Sequence, residues 1–357
     1  MIYYTGLKSK IRNTAGAKAP ADIMKLCEKR GYKPLLLPEE NQRTPRMINQ
    51  GLKYMRSIRF WHQCLKTLNK GDIVIYQHPF YASRLLPKYI ERFQANGVRF
   101  VLLIHDLESI RKGIVGAVRA NEKANNLLEG VLFKKFDAVI CHNSQMKAYM
   151  ISQGYDKDKI FELQIFDYLT DCELKPHPPK SEEPDVCIAG NLLKTKSGYI
   201  YHIYDKGNDG LKTELYGNAF DTDYNHHGIY YHGSFKPDEL PSKLKGDFGL
   251  VWDGLSAITC EGHVGEYLKY NNPHKTSLYL ASGIPVVVWS QAAIANFIKK
   301  NNVGITVDSL SQLEERIKQV TIDEYSEMCD NALTIANQLR NGFYFYQALD
   351  TVLQNLS

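Results

Sequence analysis

A histidine and an aspartate follow the apolar segment VRFVLLI and begin the polar stretch HDLESIRKG. The apolar segment predicts a buried strand of a parallel sheet, with His105 and Asp106 at its carboxyl end. Ligands of open α/β sheets bind at such ends. A His–Asp pair there can remove a proton from a hydroxyl group, so the two residues are candidate catalytic groups and either can be the base. Alternatively, the pair caps the next element or orients the loop through Glu108 and Arg111.

The stretch NNPHKTSLYLASGIPVVVW, residues 271–289, predicts a helix that leads into a buried strand. Pro273 suits the first helical position, and Asn271 or Asn272 can cap the helix. The free N–H groups of the helix N-terminus, with His274 and Lys275 beside them, predict a site for an anion.

Other candidate ligands follow two more predicted strands. Asn191 and Lys194 come after DVCIAG, and Tyr216 lies near the end of TELYG. Together with Lys275, they predict a pocket for a nucleotide diphosphate, in which each lysine acts as a point charge on phosphate. Tyr216 can instead belong to the core.

The first loop, TGLKSKIRNTAGAKAP, places Thr14, Gly16 and Lys18 just before a predicted helix N-terminus. Neither GxGxxG nor GxxxxGK[ST] occurs, which argues against a dinucleotide oxidoreductase and a P-loop phosphotransferase. No GxSxG occurs either.

The stretch DTDYNHH, residues 221–227, clusters acidic and imidazole side chains that can bind metals. It lies in a predicted polar loop and lacks the helical spacing of many ligand pairs. We therefore expect no metal site there.

Residues 41–71 contain seven Lys or Arg and no Asp or Glu, together with apolar residues such as Phe60 and Trp61. A basic amphipathic helix is typical of docking on an anionic membrane surface. Alternatively, it packs its apolar stripe on its own domain and leaves its charges in solvent. We expect no nucleic-acid partner, because no RNA- or DNA-binding module accompanies the segment.

The composition is that of an ordinary soluble protein, with 44% hydrophobic and 23% charged residues and a net charge of +5. No apolar run approaches the roughly 18–20 residues of a membrane span, and MIYYTGLKSK lacks a signal-peptide core. The seven cysteines are scattered and form no CxxC pair, which indicates reduced thiols. We expect a cytoplasmic protein, peripheral at the inner face of the plasma membrane if the basic segment docks there.

Strand and helix signals alternate along the chain, which predicts parallel sheets covered by helices on both faces. The proline-rich stretch PHPPKSEEPD interrupts this alternation and predicts a linker over residues 176–185. The predicted fold class is α/β, with two doubly wound domains over residues 1–175 and 186–340 that face across a cleft. A terminal helix is predicted over residues 341–357, and a shorter one over residues 237–245.

Four segments, GDIVIYQHPFY, IHDLESIRKG, GDFGLVWDG and the 271–289 stretch, resemble the bacterial β-1,6-galactofuranosyltransferase-like sugar transferases. The pattern is also similar to the glucosyltransferases that extend glycans on serine-rich adhesins. The resemblance covers nearly the whole chain and implies the GT-B fold. In that fold two Rossmann-like domains bind acceptor (N-terminal) and nucleotide-sugar (C-terminal), and the terminal helix crosses back to the first domain.

By the same similarity, Lys194, Tyr216 and Lys275 contact the donor, and the loop around residues 14–18 covers the site. Retaining GT-B enzymes keep a glutamate where this chain has Leu278. This departure weakens a retaining assignment.

The sequence thus predicts a glycosyltransferase that moves a hexose, galactofuranose from UDP-galactofuranose, onto a glycan or lipid-linked acceptor for cell-surface polysaccharide. It predicts inversion, no metal or other cofactor, a homo-oligomer, and Asp106 as base with His105 orienting it or sharing the work. The predicted donor contacts are Thr14, Gly16, Asn191, Lys194, Tyr216, Asn271 and Lys275. The alternatives are a UDP-glucose-dependent glucosyltransferase, a non-catalytic GT-B-like partner subunit and a UDP-sugar epimerase.

Overall fold

The computed structural model describes residues 1–8, 15–38, 46–80, 85–111, 129–174, 176 and 178–356. Two six-stranded sheets organise these residues, and the paired strands in both are parallel. We call the parts built on them the N-terminal and C-terminal domains. The predicted α/β class with two doubly wound domains is confirmed.

The N-terminal sheet has the strand order β2-β1-β3-β4-β5-β6. Its strands are β1 (Ile2–Lys8), β2 (Lys33–Pro38), β3 (Ile73–His78), β4 (Arg99–Ile104), β5 (Ala138–Cys141) and β6 (Ile160–Glu162). The helices that accompany it are α1 (Ala15–Lys29), α2 (Arg46–Thr67), α3 (Leu86–Ala95), α4 (Glu108–Arg111) and α5 (Ser144–Ser152).

The C-terminal sheet has the order β12-β11-β10-β7-β8-β9. Its strands are β7 (Asp185–Asn191), β8 (Lys212–Asn218), β9 (Ile229–Tyr231), β10 (Phe248–Val251), β11 (Val286–Trp289) and β12 (Gly304–Val307). Its helices are α6 (Lys194–Ser197), α7 (Gly262–Glu266), α8 (His274–Ala281), α9 (Ala295–Asn301), α10 (Leu313–Gln319), α11 (Ile322–Arg340) and α12 (Phe343–Leu356).

The central strands are apolar on both faces because helices cover the sheets on both sides. In β4 the five residues after Arg99 are all buried, and all four residues of β11 are buried. Such strands produce the continuous apolar runs from which the sheets were predicted.

Two predictions about individual elements need correction, and one strand was not predicted. Helix α1 begins at Ala15, so Pro20 lies inside the helix and not at its start. Only the short 3-10 helix Leu240–Ser242 forms in the segment predicted as a helix over 237–245. Strand β6 was not predicted, because three residues give too short a pattern.

The two halves of α2 differ in their surroundings. Phe60 and Trp61 are buried and stack edge to face in the N-terminal core. Near the other end, Leu52, Tyr54 and Met55 are 42%, 52% and 51% exposed. Of the apolar side chains that the structure describes on α2, Phe60 and Trp61 therefore pack in the core, while Leu52, Tyr54 and Met55 remain partly in solvent. No helix within the described ranges is long and apolar enough to cross a membrane.

Asn272 joins the two domains through its backbone and side chain. Its N–H donates to Nδ1 of His142 at 2.9 Å, and its Nδ2 donates to the carbonyl oxygens of His142 and Gln164 at 2.8 and 2.9 Å. Its Oδ1 accepts from Nδ2 of Asn143 at 2.8 Å. Because Asn143 also caps helix α5, this junction ties the start of α8 to the end of β5.

Helix α12, at the end of the chain, packs on the N-terminal domain. The carboxylate of Asp167 accepts from the N–H groups of Tyr344 and Phe345 at 3.2 and 2.7 Å, which satisfies donors in the first helical turn. Nη2 of Arg30 donates to Oδ2 of Asp350 at 2.8 Å. These contacts hold α12 against α1.

Candidate functional site

Three adjacent strands end in histidines at one edge of the N-terminal sheet. His78 ends β3, His105 follows β4 and His142 follows β5, and these strands pair side by side in parallel. The N–H of His105 donates to the carbonyl oxygen of His78 at 2.7 Å. The carboxyl edge predicted to hold the site therefore carries a cluster of imidazoles.

His105 is held by a glutamine of the neighbouring strand. Its Nε2 lies 2.8 Å from Oε1 of Gln77, whose Nε2 donates to the carbonyl oxygen of Thr5. With the amide in that orientation, Nε2 of His105 must be the donor. Burial, with smaller contributions from His142 and His274, lowers the pKa of His105 to about 3. A group with so low a pKa is a poor base near neutral pH.

Asp106 faces a different set of groups from its neighbour, as expected of adjacent residues at a strand end. Its Oδ2 lies 3.6 Å from Nη1 of Arg111, and its side chain hydrogen bonds to Tyr267 of the C-terminal domain. Burial raises the pKa of Asp106, while Arg111 opposes the rise. A carboxylate at the domain boundary with a raised pKa is better suited than His105 to take up a proton.

The loop that carries Asp106 is fixed by Glu129. This buried carboxylate accepts from the N–H groups of Glu108 and Ser109 at 3.2 and 3.0 Å, and it lies 3.0 Å from Nε2 of His78. The first two bonds satisfy the N-terminal N–H groups of the short helix α4. Residues 105–111 thus form a turn held by a buried carboxylate, and the sequence analysis did not single out Glu129.

Helix α8 begins directly after the domain junction. Pro273 is its N-cap residue, and no side chain of the described residues caps it. The predicted capping by Asn271 or Asn272 is wrong, because Asn272 uses its amide in the junction. Asn271 donates its N–H to the carbonyl oxygen of Tyr267 at 3.1 Å.

Lys275 lies beside this N-terminus, as predicted, and is paired with a carboxylate. Its Nζ donates to the carbonyl oxygen of Trp252 at 2.8 Å and to Oδ1 of Asp253 at 2.9 Å. Burial lowers the pKa of Lys275, and Asp253 opposes the change. Trp252 and Asp253 follow β10, so the loop after that strand positions this cation.

Lys194 extends toward the DTDYNHH loop. Its Nζ forms an ion pair with Asp221 and lies 4.8 Å from the ring centre of Tyr201, and the side chain is 60% exposed. Asn191 uses its Oδ1 to accept from the N–H of Leu193 at 3.1 Å. The structure therefore does not bring Lys194 into contact with Lys275.

Lys196, two residues further along the same short helix, has different neighbours. Its positive charge lowers the pKa values of both Asp106 and Lys275, so it lies near the groups of both domains. Residues two apart on a helix do not share a face. The sequence analysis did not consider Lys196. The spacing in Lys194-Thr195-Lys196 already indicated that the two lysines point to different sides of a helix, so only one of them could face the site.

Tyr216 is a core residue. It is 1% exposed, its ring stacks on His232 with centroids 4.7 Å apart, and its hydroxyl accepts from the N–H of Lys245. The alternative that Tyr216 belongs to the core thus describes its position, and the donor contact implied by the family resemblance stays a prediction. Strand β8 pairs with β7 on one side and with β9 on the other, so Tyr216 lies on an inner strand of its sheet.

Of the predicted covering loop, residues 14–18, Thr14 lies outside the described residues, and the other four belong to helix α1 and not to a loop. Gly16 falls in the first turn of α1. Lys18 is buried, with Nζ 2.7 Å from Oδ1 of Asp22 and 2.8 Å from Oδ1 of Asp238 in the C-terminal domain. Lys18 therefore links the two domains by ion pairs.

Residues of the DTDYNHH stretch form an ion pair and a ring stack. Asp221 pairs with Lys194, and the ring of His226 stacks on Tyr204 with centroids 3.8 Å apart. Across the part of the chain that the structure describes, no three His, Cys, Asp or Glu side chains form a group suited to a metal ion.

Two family models match the chain. Residues 1–165 match the model described as "Glucosyltransferase 3-like, N-terminal domain", and residues 186–352 match "Glucosyltransferase 3-like, C-terminal domain". Together the two models cover most of the sequence, including both sheets.

Individual relatives agree with these models. The chain is 36% identical over 261 residues to beta-1,6-galactofuranosyltransferase WbbI of Escherichia coli (strain K12), covering 72% of each chain. It is 26% identical over 298 residues to Glucosyltransferase 3 of Streptococcus gordonii, covering 82% of this chain and 83% of the relative.

Among solved structures, Anabaena Alr3699/HepE in complex with UDP and glucose aligns with a TM-score of 0.59 and 12% identity. The alignment covers 99% of each chain. At this identity the likeness shows the fold alone, and that fold is GT-B, as the resemblance implied.

Proposed function

The chain belongs to the Glucosyltransferase 3-like family of glycosyltransferases, and on that premise we propose that it transfers galactofuranose from UDP-galactofuranose to a glycan acceptor. The observation that carries the donor assignment is the 36% identity to the Escherichia coli beta-1,6-galactofuranosyltransferase over 72% of both chains. A UDP-glucose-dependent transfer is the second candidate, favoured by the 26% identity to Glucosyltransferase 3.

In the proposed complex the UDP diphosphate lies at the N-terminus of α8. Free N–H groups and the helix dipole favour an anion there. Lys275 would exchange part of its contact with Asp253 for phosphate, and Lys196 would add a second positive charge. This arrangement supports departure of the diphosphate without a metal ion, because fixed donors and cations stabilise the developing charge.

Asp106 is the proposed base for the acceptor hydroxyl. It lies between the two domains, and its raised pKa brings it closer to the pH at which a base works efficiently. Transfer with inversion needs only one such group. Leu278, which is buried, occupies the position of the glutamate of retaining GT-B enzymes and offers no charge to an oxocarbenium-like state.

The acceptor is proposed to be presented at an anionic membrane surface by the exposed half of α2. Leu52 and Met55 are exposed one helical turn apart, and Arg59 is exposed one turn further on. Apolar side chains can enter the headgroup region while basic ones remain with lipid phosphates. The enzyme would then be peripheral at the cytoplasmic leaflet.

The donor assignment is tested by a screen of UDP-sugars that measures UDP release with lipid-linked and free glycan acceptors. We expect the highest kcat/KM with UDP-galactofuranose and nearly unchanged turnover in EDTA. A clear preference for UDP-glucose would favour the second candidate. Strict dependence on Mg²⁺ or Mn²⁺ would contradict the metal-free proposal.

Lys196→Ala should weaken UDP binding by about 1–3 kcal/mol, the scale for losing a hydrogen bond to a charged group. Lys194→Ala is the matched control, because it removes the same charge from the same short helix and should change the affinity far less. Calorimetry with UDP measures both variants. The reverse ranking would return the phosphate contact to Lys194, as the family resemblance implies.

Asp106→Asn should lower kcat by about 10²- to 10⁴-fold, the usual contribution of a general base, while UDP affinity stays near that of the wild type. In the wild type, the acidic limb of the kcat/KM profile should lie above the ordinary range of an aspartate, because the pKa of Asp106 is raised. His105→Ala should keep that limb even if its turnover is low. Near-wild-type turnover of Asp106→Asn would exclude Asp106 as the base.

Arg59→Glu should weaken co-sedimentation with anionic vesicles at least fivefold, since each basic residue near such a surface contributes about 1 kcal/mol. Arg99→Glu, an equal charge change at the exposed first residue of β4, outside α2, should have little effect. Binding should also fall as salt rises. Equal, negligible binding of the wild type to neutral and anionic vesicles would contradict the membrane proposal.

A further inference from the structure

Three imidazoles surround the ring of Phe166, in the segment that connects the two sheets. The ring centroids of His105, His142 and His274 lie 5.6, 4.8 and 6.2 Å from that of Phe166. His105 and His142 come from the N-terminal domain, whereas His274 begins α8 of the C-terminal domain. The cluster therefore lies where the two domains meet.

The hydrogen bonds of His142 account for both of its ring nitrogens. Its Nε2 lies 3.1 Å from the carbonyl oxygen of Ile104, and its Nδ1 accepts from the N–H of Asn272 at 2.9 Å. This histidine has a complete structural role in the domain junction.

His105 uses only one of its nitrogens. Nε2 donates to Gln77, so Nδ1 carries a lone pair. That Nδ1 atom is buried and has no hydrogen-bond partner among the residues that the structure describes.

His274, in the C-terminal domain, also has one buried ring nitrogen without a hydrogen-bond partner among the described residues. Its imidazole hydrogen bonds to the backbone of Asp167. Its Nε2 is buried, and within the described ranges it has no partner. The bond to Asp167 therefore involves Nδ1 as donor, and Nε2 carries the lone pair.

Two buried lone pairs thus remain beside one aromatic ring. Burial lowers the pKa values of His105 and His274 to about 3, so both rings are neutral at ordinary pH and these two nitrogens can only accept hydrogen bonds. An unsatisfied buried acceptor is costly, so native proteins keep such groups where they have a use.

The two unpaired nitrogens, Nδ1 of His105 and Nε2 of His274, indicate which kind of ligand can bind beside Phe166. Lone-pair acceptors repel phosphate oxygens, so they do not suit the diphosphate. A sugar ring presents several hydroxyl donors around an apolar face, and it can satisfy both nitrogens while it contacts Phe166. His274 also directly precedes Lys275, the residue proposed to contact the diphosphate to which the transferred sugar is attached.

We propose that Nε2 of His274 and Nδ1 of His105 accept hydrogen bonds from hydroxyl groups of the donor hexose, and that His274 is a sugar-recognition residue. This inference rests on the proposed function and assigns the sugar end of the same site. Because each domain supplies one acceptor, the hexose is recognised only when the two domains are in contact.

The experiment compares His274→Leu, His274→Gln and the wild type by the KM for UDP-sugar, the KM for acceptor and the Kd for UDP. His274→Leu should raise the donor KM about 3- to 10-fold, the scale for one neutral hydrogen bond, with the UDP Kd and acceptor KM unchanged. His274→Gln carries an acceptor oxygen near the position of Nε2 and should recover part of the loss. His202→Leu, at an exposed histidine that pairs with Asp205, is the matched control and should behave as the wild type.

Thermal unfolding separates recognition from structure. His274→Leu should melt only slightly below the wild type, because it loses one hydrogen bond to the backbone of Asp167 but also removes an unsatisfied buried acceptor. His142→Leu should melt clearly lower, since it leaves Asn272 and Ile104 without their partner. A large loss of melting temperature in His274→Leu would identify a structural histidine and overturn the proposal.

The kinetic outcomes are equally decisive. An unchanged donor KM in folded His274→Leu would overturn the recognition role, and a raised acceptor KM alone would assign the histidine to the other substrate. A wild-type protein that binds no UDP would overturn the proposed function itself, and the donor-hexose assignment with it.

Discussion

The geometry of the site depends on the hydrogen bonds of Asn272. They reach His142, Asn143 and Gln164, so the start of α8 is fixed to the end of β5 even though the residues are about 130 positions apart in the chain. That junction holds Lys275 and His274 in place relative to Asp106 and His105, and the Lys18–Asp238 ion pair adds a second link between the domains. A buried amide with all its hydrogen bonds satisfied thus helps to set the distance between the groups proposed to hold the donor and the group proposed to activate the acceptor.

Burial has opposite effects on the two kinds of titratable group at this boundary. It keeps His105, His142 and His274 neutral, and it raises the pKa of Asp106. His105 and Asp106 come from the N-terminal domain, whereas His274, like Lys275 and Lys196, comes from the C-terminal domain. The proposed site therefore combines neutral acceptors for hydroxyl groups with cations for phosphate, the two kinds of group that a nucleotide-sugar carries.

The sequence predicted the sheets and the placement of His105, Asp106 and Lys275 at element ends, because long apolar runs and helix boundaries are local signals. It did not predict which way side chains point. Lys194 and Lys196 differ only in their position on one short turn, and the burial of Tyr216 depends on the flanking strands of its sheet. The capping prediction for Asn272 was wrong because its partners lie in the other domain. The GT-B fold and the enzyme class came from the family resemblance, which local patterns could not replace.

The packing of helix α12 on helix α1 has a consequence for folding during synthesis. Leu26 of α1 and Phe345 and Leu349 of α12 belong to one apolar core, yet the ribosome makes α12 only after the whole C-terminal sheet. Domains fold during synthesis from the N-terminus onward, but here the first domain cannot complete its core until α12 has been synthesised. Until then the nascent chain exposes the apolar side of α1, and in that interval it is most open to contact with other chains.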